Sequence, residues 1–149
     1  VWPDGTLQGY AKQNLYTGED RFFVPGVNDY QFTLKGEKIS MAICADISDP
    51  RLPARAHAQN ATIYLAPVMV SKNGLTHDRT LLQNYAEQYG MLTIMANYGG
   101  VTGGYDCGGY SSVWSANGEL IGELAHDREG ILFVEKSGKT WTTKTLVMQ

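Results

Sequence analysis

Cysteine is nearly absent from this chain. There are two in 149 residues, Cys44 and Cys107, 63 positions apart. That excludes a disulfide framework and a cysteine-spaced metal site. Long apolar runs are missing too: none approaches the ~20 residues that span a bilayer, and the opening Val1-Trp2-Pro3-Asp4 is no signal peptide. Positive charge is not in excess. With a net charge of −3, the chain gives neither nucleic acid nor an anionic membrane an electrostatic reason to bind. No internal repeat or low-complexity segment is present. The glycine tract at residues 99–104 lacks a Lys-Ser/Thr ending and opens no helix, so it is not a phosphate loop. A reducing, cytoplasmic setting is the expectation these absences leave.

What is there suits one domain with a sizeable core: 43% hydrophobic and 18% charged residues. Glycine (17) and tyrosine (nine) are plentiful. Without interleaved basic residues, the tyrosines read as core and interface rather than a nucleic-acid platform. The chain starts without Met and in mid-phrase, which reads as part of something longer.

One stretch organises the rest. Ile39-Ser40-Met41-Ala42-Ile43-Cys44 is an apolar run ending at a thiol, followed at once by a turn rich in Asp and Pro (Asp46, Asp49, Pro50, Pro53). A buried strand presents a residue this way at its C-terminal end, where α/β sheets bind ligands. Upstream, alternation predicts a short strand over residues 10–15 and another over 30–34, the latter turned by Gly36 into a hairpin with the Cys44 strand. Pro53 marks a first helical turn, with a small-residue helix to about residue 59 closed by Asn60. Residues 61–67 are nearly all apolar, as in a strand buried on both faces, so strand, helix and strand form a βαβ unit. Asp78 or Thr80 caps a second helix running to Tyr89 and ended by Gly90. Residues 91–97 form a third buried strand, and residues 99–104 a flexible loop. Asn117-Gly118 turns a hairpin between residues 110–115 and 119–124. A further strand covers 131–135, and the tail from Lys136 is polar and β-leaning. Two helices are few to cover such strands on both faces. Either a second sheet packs here or another segment supplies the cover.

A thiol becomes a useful nucleophile when a base or a positive charge stands beside it. Cys44 reads either as that nucleophile or as a buried core thiol. The backbone N–H of Ala45 would then be placed to meet an oxyanion. Cys107, in a glycine-rich loop, reads as incidental. His57, His77 and His126 offer possible partners for a Cys-His pair, with His77 the best of them. Asp46 and Asp49 read as helix caps, and Glu87 as a surface or packing residue.

Several phrases in order carry a resemblance. They are Tyr10-Ala11-Lys12-Gln13-Asn14-Leu15 with Glu19 and Phe23-Val24-Pro25-Gly26; Ile43-Cys44-Ala45-Asp46; Ala61-Thr62-Ile63-Tyr64-Leu65-Ala66-Pro67; Tyr85-Ala86-Glu87-Gln88-Tyr89 and Ala96-Asn97; and Gly108-Gly109-Tyr110-Ser111 with Asn117-Gly118. With Lys12 and Cys44 32 positions apart, they resemble the carbon–nitrogen hydrolase (nitrilase-like) superfamily from residue 10 to 135. The resemblance implies an α/β fold, part of an α-β-β-α sandwich with mixed sheets and outer helices. It implies hydrolysis of a non-peptide carbon–nitrogen bond in a small-molecule amide through a cysteine thioester, with no cofactor or metal, and a homo-oligomer. Residue by residue, Cys44 matches the nucleophile, Lys12 the oxyanion lysine, Glu19 the second glutamate and Ala45 the N–H donor. Val68 and Asn97 fall where pocket walls are expected. The family's general-base glutamate and first βαβ portion have no match, so residues 1–149 read as a partial domain. Ala45 stands where the family often has an aromatic and Tyr85 where arginine is frequent, which puts the substrate in doubt more than the reaction.

Overall fold

Lys35 and Gly36 both have positive φ, 49° and 85°, the backbone of a two-residue turn whose twist suits a hairpin. In the computed structural model, which describes residues 1–125 and 129–148, this turn joins β1 (Gln31–Leu34) to β2 (Glu37–Met41) antiparallel. After β2 the chain makes a 3₁₀ turn over Cys44–Ser48 and enters α1 (Arg51–Ala58). It returns as β3 (Ile63–Val68), parallel to β2. Helix α2 (Leu75–Tyr89) ends at Gly90, whose φ of 63° glycine adopts without strain. Strand β4 (Leu92–Asn97) then pairs parallel with β3. A separate hairpin follows, β5 (Gly99–Thr102) with β6 (Tyr105–Gly108). Strands β7 (Ser112–Trp114) and β8 (Leu120–Glu123) extend the main sheet, giving the order β1-β2-β3-β4-β7-β8. The last hairpin pairs β9 (Gly130–Ser137) with β10 (Thr140–Val147).

Strand alternation splits the core by face. Tyr64, Ala66, Met95 and Trp114 point to the side where both helices lie, and pack with Ile47, Ala56, Leu82, Tyr85 and Ala86. Ile39, Ile63, Leu92 and Val113 point the other way, towards Leu132, Val134 and Trp141 of the last hairpin. The order is thus helices, six-stranded sheet, two-stranded sheet. The hairpin covers its face only partly, so Leu65 and Ile94 stay half-buried in otherwise buried strands. Lys136 anchors it by an ion pair to Glu37 on β2 and by standing 5.2 Å from the Trp141 ring centroid.

Four expectations change. Residues 10–15 form no strand; polar bonds to one buried side chain replace a ladder, as described below. Residues 99–104 are not a loose loop, because Gly103 and Gly104 (φ 53° and 83°) make a tight turn and the flanking residues pair. Helix α2 begins at Leu75, and neither Asp78 nor Thr80 caps it: the N-cap is Gly74, which makes no side-chain bond. Pro53 is the third residue of α1, while Pro50 holds the cap position. Both helices sit on the outer face of the six-stranded sheet, away from the last hairpin, as the sandwich reading expects. His126 lies outside the described residues.

Candidate active site

Strand β2 stops at Met41, three residues before the thiol. The Ala42 N–H still donates to the Leu65 carbonyl at 3.0 Å, and the chain then turns sharply enough to put Cys44 at φ 49°. A side chain with a Cβ in that left-handed region is strained by about 1–3 kcal/mol, and such residues cluster at functional sites. Cys44 is half-exposed, whereas Cys107 is buried at 1% accessibility on β6.

The turn is held by Asp46, which is fully buried. One of its carboxylate oxygens, Oδ2, accepts from the Ile43 N–H (2.9 Å) and the Tyr10 hydroxyl (2.7 Å). The other, Oδ1, accepts from the backbone N–H of Gln13 (2.9 Å) and Asn14 (2.6 Å). Asn14 Nδ2 in turn donates to the Ala45 carbonyl at 2.7 Å. A single carboxylate therefore satisfies the turn and docks the segment carrying Lys12 against it. Burial, with Asp46 as hydrogen-bond partner, pushes the Tyr10 phenol well above its usual range, so it stays a donor. Lys12 Nζ meets Glu19 Oε2 at 2.5 Å, and the Tyr16 N–H donates to the same oxygen at 2.7 Å. The Lys12 bond, followed by that N–H, holds the Glu19 carboxyl below its ordinary value. Glycine is needed at Gly26: its N–H donates to the Lys12 carbonyl at 2.8 Å, and a Cβ there would lie 2.2 Å from the Ala11 oxygen.

A cavity of about 610 Å³ opens over the turn. Cys44, Ala45 and Glu19 line it together with Ser48, Ser71 and Asp78, and Phe22, Phe23, Met69 and Tyr105 supply apolar wall. The Ala45 N–H, at the start of the 3₁₀ turn, finds no acceptor among the described residues. Of the residues singled out in the sequence, Cys44, Ala45 and Glu19 meet here, and Lys12 joins them through Glu19. Val68 does not line the cavity: alternation along β3 points it into the core at 8% exposure, and the next three residues form the wall. Asn97 is a brace rather than a wall. Its Oδ1 accepts from the Val70 N–H at 2.8 Å and its Nδ2 donates to the Gly109 carbonyl at 2.7 Å. Neither His57, which is exposed and packs against Tyr89 at 5.7 Å between ring centroids, nor His77 lines the cavity. Among the described residues, no three His, Cys, Asp or Glu side chains stand close enough to hold a metal ion.

Sequence reading treated Asp46 as a helix cap only. Its other bonds reach 32–36 residues upstream, which no local pattern announces. Tyr85, in place of a frequent arginine, packs edge-on against Tyr64 and donates to the Ile47 carbonyl at 3.0 Å, bracing the turn from behind.

The chain is thus an α/β protein with a half-exposed thiol in left-handed backbone on the turn after β2, over a cavity that Glu19 also lines. The chain belongs to the carbon-nitrogen hydrolase family, whose profile matches residues 3–143. It is similar to the NitN amidase from Nesterenkonia sp. AN1 at a TM-score of 0.75 and 26% identity, over 96% of this chain and 51% of that one. A glutamate-to-leucine variant of the amidase from that organism, carrying the acetamide moiety of fluoroacetamide on its active-site cysteine, is similar at 0.75 and 30% identity, over 80% and 47%. Another variant, in complex with butyramide, gives 0.73 and 28%, over 78% and 46%. The chain is also 32% identical over 116 residues to the "Hydrolase in agr operon" of Staphylococcus aureus, covering 68% of this chain and 43% of that protein. It spans about half the length of these relatives.

Proposed function

We propose that the protein hydrolyses a non-peptide carbon–nitrogen bond of a small-molecule amide through a thioester on Cys44. The observation that carries this reading is that one buried carboxylate, Asp46, binds the residues flanking both Lys12 and Cys44, namely Gln13, Asn14 and Ile43. The Cys44 sulfur attacks the amide carbon, and the carbonyl electrons move onto oxygen. The Lys12 ammonium and the Ala45 N–H meet that charge as it develops. The carbon–nitrogen bond breaks, ammonia or an amine leaves with a proton, and water then cleaves the thioester to give a carboxylic acid and the free thiol. Glu19 orients the Lys12 ammonium through their ion pair. The thiol gives up its proton to a general base as it attacks, and that proton leaves with the nitrogen. The covalent cysteine adduct in the amidase variant and the butyramide complex support an amide substrate. A homo-oligomer and a cytoplasmic setting complete the reading. No helix among the described residues is long and apolar enough to cross a membrane.

Mass spectrometry of the protein mixed with fluoroacetamide tests the reaction. A single adduct on Cys44, absent from Cys44→Ala and slowed at least tenfold in Lys12→Ala, is expected. Near-normal labelling of Lys12→Ala would sink the assignment of Lys12.

A further inference from the structure

Two acidic side chains line the cavity, and they differ in one respect. Glu19 is bound to Lys12, so the two charges cancel. Asp78, in the first turn of α2, has no such counter-ion: its carboxylate accepts no hydrogen bond and forms no ion pair with any described residue. It is half-buried all the same. Burial holds its carboxyl above the ordinary value, with neighbouring His77 working weakly against that. A desolvated carboxylate without a partner is destabilising, whereas the other carboxylate of this site is fully engaged. Exposed aromatic side chains, Phe22, Phe23 and Tyr105, line the same cavity. Carboxylate and aromatic faces together favour one kind of ligand group, an organic cation on a short apolar stem.

We propose that Asp78 is a specificity-determining residue that pairs with an ammonium or guanidinium group of the substrate, while the substrate's amide carbonyl stands at Cys44. The placement of the carbonyl rests on the reaction proposed above; the charge preference does not. Lys12 and Glu19 contribute no net charge, so Asp78 sets the sign of the cavity. The apolar wall takes up the stem that links the two ends.

Cys44 reports the charge preference without turnover, because Cys107 is buried. The intact protein is treated with three methanethiosulfonates that differ only in the transferred group: trimethylammonium-ethyl, methyl and sulfonatoethyl. The native protein is expected to react fastest with the cation. Asp78→Asn should lower the cation-to-methyl rate ratio about three- to tenfold, the size of one partly screened ion pair, and leave the methyl rate unchanged. The exposed Glu119→Gln serves as a control for net charge and should leave the ratio as it is. An unchanged ratio in Asp78→Asn, an equal fall for all three reagents, or the same fall in Glu119→Gln would each overturn the proposal. Comparison of kcat/KM for an ammonium-bearing amide and its neutral isostere extends the test to the reaction. Absence of turnover with every amide, alongside an intact ratio, would remove the proposed reaction and leave the cation site standing.

Discussion

At the scale of single residues, Asp46 is the centre of the site although it does not line the cavity. Four donors converge on a carboxylate with no access to water. Asp46→Ala would leave these donors unpaired, and the loss of a buried charged acceptor is expected to destabilise by about 3 kcal/mol or more. Asp46→Asn discriminates better: it keeps the shape and can accept at one oxygen only. Denaturant unfolding should show a smaller loss, while Cys44 labelling should fall towards the Lys12→Ala rate as the Lys12 segment loosens. Labelling at the native rate in both variants would show that the segment docks by other means. Asp78 carries an opposite signature. Its raised carboxyl value means that the folded state prefers the proton, so ionisation costs stability; that contribution is fully present below the ordinary value of 3.8 and lost as pH rises through the folded one. Asp78→Asn should therefore melt higher than the native protein near neutrality, with the gap closing below that pH. A lower melting point at neutral pH would mean that Asp78 serves the fold.

At the scale of elements, the sequence was legible wherever packing follows strand alternation. The Lys35-Gly36 hairpin, the parallel run of β2, β3 and β4, the Gly90 stop and the hairpin at Asn117-Gly118 all follow from periodicity and turn chemistry. Reading failed where a distant side chain or a bare backbone decides. Residues 10–15 alternate like a strand, yet the N–H groups of Gln13 and Asn14 go to Asp46. Helix α2 starts on Gly74, a cap without a side-chain bond, so the polar residues after it drew the boundary too late. Val68 is buried by the alternation of the strand, and the cavity wall begins one residue later, at Met69. The residues that line the cavity with Cys44 were thus partly legible as candidates, and the scaffold that brings them together was not. Gly26 tests the scaffold. Gly26→Ala must push the Ala11 carbonyl away, because the contact is with backbone. It should slow Cys44 labelling several-fold while the helices keep their hydrogen-exchange protection. Unchanged labelling would mean that the two segments move together.

At the scale of the whole molecule, remote parts of the chain are tied by ion pairs that are strongest above the carboxylate range. Arg55 on α1 holds Asp29 at 2.8 Å, and Lys136 holds Glu37 across 99 positions of sequence. Each cation, through its hydrogen bond, depresses its partner's carboxyl value from 3.8 and 4.5 respectively. The unfolded chain then binds more protons, so this stability is fully present above those values and fades as pH falls through the lower folded ones. Amide exchange should accordingly show the last hairpin loosening from the sheet before the main sheet opens on acidification, and Lys136→Gln should remove the step. Simultaneous loss of both layers would contradict it.

The left-handed backbone of Cys44 has a consequence for how such a chain drifts. A Cβ is disfavoured there by about 1–2 kcal/mol, while glycine adopts that conformation freely. In the proposed reaction the thiol is needed at position 44, so selection for chemistry and selection for folding pull against each other there. In a lineage released from the need for the thiol, Cys44→Gly is the substitution that folding itself rewards. Replacement by alanine or serine gives up the proposed reaction and keeps the strain.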